Sequence, residues 1–184
     1  MEFESTTSTT LPNVEAGAHI DVHLPNGMVR QYSLCQNPNQ QGIFRLGILR
    51  DPESRGGSIS AFDDLQDGMQ LQVSAPKNLF PLQQAKHSVL IGGGIGITPL
   101  ITMAYQLAQQ GASFELHYCG ASPECCAFVD EIQQGELAPF TQFHFKSEGA
   151  SHRNFFEIAI KDIDAASHIY TCGPNGFMDW VINL

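Results

Sequence analysis

Three short clusters carry residue types that do chemistry, and they occur in a fixed order along the chain. They are Arg30-Gln31-Tyr32-Ser33-Leu34, Gly92-Gly93-Gly94-Ile95-Gly96-Ile97-Thr98-Pro99 and Cys172-Gly173-Pro174. The first offers a guanidinium and an aromatic ring, which suit an anionic, planar ligand; the competing reading of Tyr32 is an ordinary strand aromatic. The second reads as a strand-to-helix turn. Its glycines permit positive φ and let backbone amides approach a phosphate, with Thr98 expected as the N-cap and Pro99 at the first helical position. The third puts a thiol and a rigid turn at the end of another strand, unless it is a buried strand-end cysteine before a tight turn. Arg55-Gly56-Gly57-Ser58 adds two glycines, a hydroxyl and an arginine at the start of a short helix, a second anion cradle.

The charge distribution bears on the same question. Nine basic against nineteen acidic residues give a net charge of −10, which opposes binding to nucleic acid or to an anionic membrane. Yet Arg30, Arg45, Arg50 and Arg55 crowd into one short stretch of this acidic chain. They are either solvated strand residues or a local anion site. The five cysteines, at 35, 119, 125, 126 and 172, do not suggest a disulfide framework. No C-x4-C-x2-C run is present for a plant-type [2Fe–2S] cluster, and no metal site is expected. Cys125 and Cys126 are too close together for a zinc knuckle and read as helix residues.

The elements that must position these groups change rhythm along the chain. His19 to Leu24 alternates apolar and polar residues, Pro25-Asn26-Gly27 supplies a turn, and Met28 to Leu34, Ile43 to Leu49 and Met69 to Val73 read as further strands, with a short helix from Ser58 to Leu65. That pattern suggests a small antiparallel barrel. After Pro81 strands alternate with helices: Ser88 to Ile91, a helix from Pro99 to Gln109 stopped by Gly111, a strand through Phe114, Leu116 and Tyr118, a helix from Pro123 to Gln134, then strands at Phe143 to Phe145 and His168 to Cys172. Such alternation means a parallel sheet with crossover helices. The domain boundary is expected near Phe80 to Lys86, giving domains 1–82 and 83–184. Hydrophobic residues make up 42% and charged residues 15%, an ordinary globular balance. The longest apolar stretch, from Val89 into Leu107, is broken by glycines, a proline and polar residues and cannot span a membrane. Met1 to Thr10 has no signal-peptide pattern, so cytoplasm is the expected location.

The glycine-rich turn is not the standard dinucleotide fingerprint. Reading G-x-G-x-x-G from Gly92 puts Ile97 at the third glycine, and Cys119-Gly120-Ala121-Ser122 has no acid for the ribose hydroxyls. Instead, R-x-Y-S, R-G-G-S, G-G-I-G-I-T-P and C-G-P, in that order, resemble the ferredoxin-reductase superfamily, most closely the phthalate dioxygenase reductase and vanillate demethylase reductase group. The resemblance implies a Greek-key flavin barrel followed by a parallel-sheet nucleotide-binding domain. It implies that Tyr32 packs on the flavin ring, Ser33 lies near flavin N5 and Arg30 neutralises phosphate, with Leu34 in the same motif. Ile48, Leu49 and Arg50 resemble the strand that supports the ring. Arg55, Gly56, Gly57 and Ser58 favour FMN over FAD as the cofactor. Gly93, Gly94, Ile95, Gly96, Thr98, Pro99, Cys172, Gly173 and Pro174 are implied to contact the nicotinamide nucleotide, with Ser33, Thr98 and Cys172 around the site of hydride transfer. Asn78 to Leu82 matches the interdomain segment. Ala121 stands where relatives often carry arginine, which favours NADH over NADPH.

By the same resemblance, hydride passes from NADH to FMN, and electrons leave singly for an iron–sulfur domain or the terminal component of a Rieske-type oxygenase or demethylase. The competing functions are a non-catalytic flavin-binding electron-transfer subunit and an inactive fragment. Relatives begin with one more strand and continue, after C-G-P, through a helix, a final strand and a [2Fe–2S] domain. The first barrel strand and the C-terminal helix and strand are therefore expected to be incomplete here.

Overall fold

The computed structural model describes residues 1–6, 10–149 and 163–184. Residues 7–9 of the polar start, and 150–162 of the stretch expected as the second domain, lie outside that description. The first half builds from antiparallel pairs: β1 (Glu2–Glu4) with β4 (Ile43–Arg45), and β2 (His19–His23) with β3 (Val29–Ser33) in the register Ile20↔Tyr32. The alternation works as expected in β2, where Ile20 and Val22 turn inward onto Leu24, Leu34, Phe44 and Leu46. Gly27, at φ 82, makes the turn that joins β2 to β3.

Two strand expectations are corrected here. Met69–Val73 is not a strand; Val73 and Lys77 make single bridges to β2, at Val22 and His19. Between them the Ser74 hydroxyl takes the Asp21 N–H, a bond that a continuous ladder would have made with backbone. The Ile43 strand stops at Arg45, with one further bridge from Leu46 to Leu34, because Gly47 runs against the second half of the chain. The short helix forms as α1 (Gly57–Asp63), entered through Gly56 in the left-handed region.

The second half is a four-stranded parallel sheet ordered β7-β6-β5-β8, from β5 (His87–Gly93), β6 (Phe114–Gly120), β7 (Thr141–Phe145) and β8 (Ser167–Cys172). Period-2 alternation divides the sheet into two faces. Leu90, Leu116, Tyr118 and Phe145 pack against α2 (Ile97–Gln109) and α3 (Val129–Gln134). Val89, Ile91 and Cys119 pack against α4 (Asn175–Ile182) through Val181 and Phe177.

Two helix expectations are corrected as well. Thr98 is not the N-cap of α2: a 3₁₀ turn at Gly94–Gly96 runs straight into the helix, Gly96 is the cap, and Pro99 falls at the third helical position. The Thr98 hydroxyl instead donates to the Ile95 carbonyl at 3.1 Å. The helix expected from Pro123 to Gln134 breaks into a 3₁₀ turn at Pro123–Cys125 and α3, with Phe128 at φ 64 between them. Tertiary contacts override local propensity at this point. The Ala127 carbonyl accepts the Tyr118 hydroxyl at 3.0 Å, and the Phe128 ring lies under the Arg45 guanidinium at 4.8 Å. Cys125 thus closes the 3₁₀ turn, whereas Cys126 is not a helix residue; it is extended and packs over Gly120.

The halves are joined by charged and neutral bonds. Arg45 donates two hydrogen bonds to Glu131, at 3.0 and 2.6 Å, and the Tyr105 hydroxyl donates to the same carboxylate at 2.8 Å. Burial opposes the charge on Glu131, but Arg45 and Tyr105 outweigh it and hold the carboxyl below its usual range. In the buried centre, Thr102 of α2 donates to the Leu34 carbonyl at 2.9 Å. At the other end of the joint, the Phe80 ring meets the Tyr170 ring edge-on, with centroids 5.7 Å apart.

Candidate functional site

The close approach of the two halves leaves a cavity of about 470 Å³ between them. One wall is β3, presenting Arg30, Gln31, Tyr32 and Ser33. A second is the loop beyond β4, with Gly47, Leu49, Asp51, Ser54 and Ser58. The third combines the turn into α2 (Ile95, Gly96, Thr98) with the turn after β8 (Cys172, Gly173, Pro174). The sequence clusters therefore converge, although more than 130 residues separate Ser33 from Cys172.

Two glycines set how closely these walls meet. A Cβ on Gly47 would lie 2.7 Å from Thr98 Cγ2, and a Cβ on Gly96 would collide with the Cys172 carbonyl and approach Gly173 N to 2.6 Å. Backbone at Gly96 thus lies directly on backbone at Cys172-Gly173, fixing the helix start against the thiol-bearing turn. Burial pushes the Cys172 thiol up, so it stands as a neutral group. Burial likewise raises the Tyr32 phenol. The Ser33 hydroxyl lines the cavity and makes no hydrogen bond within the described residues.

The clustered arginines separate into two kinds. Arg45 is bound to Glu131, and Arg50 to Asp63 at 3.1 Å. Arg30 and Arg55 have no carboxylate partner among the described residues. The Arg30 guanidinium donates only to the Val29 carbonyl at 2.9 Å and to Met28 Sδ, and its stem lies so close over Gly57 that a Cβ there would sit 2.5 Å from Arg30 Nε. Beside it, Ser58 Oγ bonds Ser54 Oγ at 3.0 Å and takes the Asp51 N–H at 3.1 Å, tying the turn before α1. An unpaired guanidinium, a glycine that makes room for it and a ring of small hydroxyls fit a phosphate-bearing planar cofactor such as a flavin.

Several expected site residues lie outside this lining. Leu34 is fully buried in the barrel core, and Ile48 packs against that core. Arg50 and Arg55 are exposed, Gly56 and Gly57 shape the entry to α1, and Pro99 is buried in α2. Gly93 and Gly94 line a neighbouring cavity of about 240 Å³, with Cys119, Gly120, Ala121, Lys146 and Phe177. Pro174 lines both cavities. Gln31, Gly47, Asp51, Ser54 and Lys146 were not expected. Gln31 could have been found between Arg30 and Tyr32 in the motif, whereas nothing local marks the others.

Fold and cavities together define a module of the ferredoxin-reductase kind, an antiparallel barrel-like unit followed by a parallel-sheet unit. The chain is 44% identical to vanillate O-demethylase oxidoreductase of Pseudomonas sp. (strain HR199 / DSM 7063), over 100% of its own length and 58% of that protein's. Phthalate dioxygenase reductase of Burkholderia cepacia is 39% identical over 100% and 58%. A solved structure of phthalate dioxygenase reductase, described as modular for electron transfer from pyridine nucleotides to [2Fe–2S], superposes with a TM-score of 0.89 at 38% identity, over 99% of this chain and 57% of that one. The chain belongs to the ferredoxin-reductase superfamily, in the group of vanillate demethylase and phthalate dioxygenase reductases. It spans a little over half the length of these relatives. No family model matches the chain. Among the described residues no helix is long and apolar enough to cross a membrane.

Proposed function

We propose that this chain is the electron-input module of an oxygenase-type reductase, taking hydride from NADH onto bound FMN for onward delivery to an iron–sulfur partner. Its two units are residues 1–82, for the flavin, and 83–184, for the nucleotide. The observation that carries the reading is the division among the arginines: in a chain of net charge −10, Arg30 has no carboxylate partner among the described residues and lines a cavity with Tyr32, Ser33 and Cys172, and Arg55, likewise without one, follows the lining residue Ser54. An acidic protein that leaves cations unpaired at a cavity is arranged for an anionic ligand.

Arg30 would hold the flavin phosphate by charge-assisted hydrogen bonds, with Ser54 and Ser58 as hydroxyl partners and Arg55 at the rim. Tyr32 would pack its ring against the flavin, and Ser33 would offer it a hydroxyl. The Gly94–Gly96 turn and Cys172-Gly173-Pro174 would orient the nicotinamide against that plane, so that Thr98 and Cys172 exclude water from the point of transfer. The bound flavin supplies the conversion between two-electron and one-electron steps. The neutral Cys172 thiol acts by position and not as a nucleophile. Ala121 leaves the loop after β6 without a cation, and NADH is accordingly the preferred nucleotide.

The test is anaerobic mixing of the flavin-loaded chain with NADH. Loss of the flavin's visible absorbance supports the reading. A chain that holds flavin but leaves it oxidised points to a non-catalytic electron-transfer subunit, and chromatography that finds only FAD in the released cofactor overturns the choice of FMN.

A further inference from the structure

Two threonine hydroxyls on α2 behave differently. Thr98 and Thr102 stand four residues apart and share a face of the helix. A threonine hydroxyl in a helix ordinarily bonds back to a carbonyl three or four residues earlier. Thr98 does so, donating to the Ile95 carbonyl at 3.1 Å. Thr102 instead donates across the joint to the Leu34 carbonyl at 2.9 Å, 68 residues away in the chain. Both residues of this bond are buried, Thr102 to 1% exposure and Leu34 to 0%.

Each end of the bond is anchored in its own half. Leu34 directly follows Ser33, the last residue of β3; its side chain is packed in the barrel core, and its N–H donates to the Ala18 carbonyl at 2.9 Å. The Leu34 carbonyl is therefore a fixed point of the barrel, one residue from the Ser33 that lines the larger cavity. Thr102 sits between the buried Ile101 and Met103, one helical turn beyond Thr98, which lines the same cavity from the opposite wall. Across that turn of about 5.4 Å, the helix carries the position of Thr102 rigidly to Thr98 and to the Gly94–Gly96 turn before it.

Packing alone does not fix this spacing. Thr102 borders a separate cavity of about 240 Å³, whose barrel side includes Gln36 and Ile43. There the helix meets open space, and a directional bond takes the place of interlocked side chains. Among the described residues, α2 gives the first half two side-chain hydrogen bonds. The second runs from Gln109 to Asn37 at 3.2 Å, at the far end of the helix from Thr98. The Thr102 bond is the one close to the site. Without its hydroxyl, the buried Leu34 carbonyl would lose that partner.

We propose that Thr102 is a positioning residue for hydride transfer, its hydroxyl holding the start of α2, and with it the nucleotide wall of the larger cavity, at a set distance from Tyr32 and Ser33. The inference rests on the function proposed above. Thr102 touches neither ligand; it acts through Leu34 on one wall and Thr98 on the other. A separation wrong by about 1 Å costs on the order of 100-fold in such a step, whereas each ligand still finds its own wall intact.

The test compares wild type with Thr102→Val, which keeps the shape and removes the donor, and Thr102→Ser, which keeps the donor. Anaerobic stopped-flow reduction of the FMN-loaded chain gives the limiting rate and the half-saturating NADH concentration. The flavin difference spectrum on binding tetrahydro-NADH, which cannot give hydride, reads the geometry without turnover. Thr102→Val should lower the limiting rate about tenfold or more and shrink the difference spectrum, with half-saturation within about twofold of wild type. Thr102→Ser should stay within about twofold of wild type in every readout. Glu131→Gln, which loosens the joint away from the site, should keep the limiting rate within about threefold. If Thr102→Val does not fold, Thr102→Cys, whose thiol is a weak donor, is compared with Thr102→Ser in its place. A donor-deficient variant reduced at the wild-type limiting rate, a Thr102→Ser protein equally slow, or equal slowing in Glu131→Gln overturns the inference and leaves the proposed function intact. A wild-type flavin that NADH does not reduce overturns the proposed function, and this inference with it.

Discussion

Replacing Gly96 by alanine sets two effects of opposite sign against each other. Gly96 has φ −62° and ψ −4°, an ordinary right-handed conformation, so alanine meets no backbone strain there. Fewer accessible unfolded conformations would by themselves favour alanine there, by about 0.4–1 kcal/mol. Space says otherwise. The new Cβ would run into the Cys172 carbonyl and stand 2.6 Å from Gly173 N, where about 3.4 Å is an ordinary contact, and both obstacles are backbone. The helix start and the C-G-P turn must separate by nearly 1 Å, at an overpacking cost of about 1–3 kcal/mol. The steric effect wins, and the chain loses about 1–2 kcal/mol in urea unfolding. The larger consequence is kinetic: a shift of about 1 Å in a hydride-transfer geometry costs on the order of 100-fold in rate. Flavin retention should change little, because Arg30 and the α1 turn are untouched. Stopped-flow reduction by NADH, with bound flavin measured separately, checks this. A Gly96→Ala protein that is at least as stable as wild type and is reduced at the wild-type rate would refute the role given to this contact.

Arg30→Ala should weaken flavin binding by about 1.5–3 kcal/mol, and Arg55→Ala by less, because Arg55 is exposed at the rim; equilibrium flavin titration checks the order. Glu131→Gln should lower stability by about 1–2 kcal/mol near neutral pH, read by urea unfolding. Because the folded-state carboxyl of Glu131 lies below its unfolded value, its contribution is present above the unfolded pKa and is lost as pH falls through the folded one; the gap between wild type and Glu131→Gln should therefore close on acidification. The chain as given should pass electrons from NADH to ferricyanide but not, unaided, to cytochrome c, because its sequence holds no C-x4-C-x2-C run; brisk cytochrome c reduction by purified protein containing iron and labile sulfide would show the cysteines misread.

What was legible in the sequence was whatever short-range chemistry determines. Strand alternation in β2 and β6, the glycine turn before α2 and the order of the motifs follow from local residue patterns, and they carried both the fold class and the main cavity. The failures are tertiary. The Pro123–Gln134 stretch has helical periodicity, but the Tyr118 hydroxyl takes a carbonyl from its middle and the Arg45–Phe128 contact turns the backbone. Met69–Val73 has strand composition, but Ser74 replaces part of the ladder with a side chain. The arginine cluster could not be divided from sequence either. The partner of Arg50 is 13 residues away and that of Arg45 is 86, so only the folded chain reveals which guanidinium groups are left for a ligand. Lys146 gives the same lesson, since only the pairing of β7 with β6 brings it beside Ala121.

In the proposed function, a flavin held by β3 and α1 receives hydride across the cavity from a nucleotide held by the Gly94–Gly96 and Cys172–Pro174 turns. Anaerobic stopped-flow mixing of the FMN-loaded chain with NADH tests it most directly. Complete bleaching of the flavin is expected, in a phase that saturates with NADH and is slowed by competing 5′-ADP. Flavin that stays bound and oxidised at saturating NADH would contradict it.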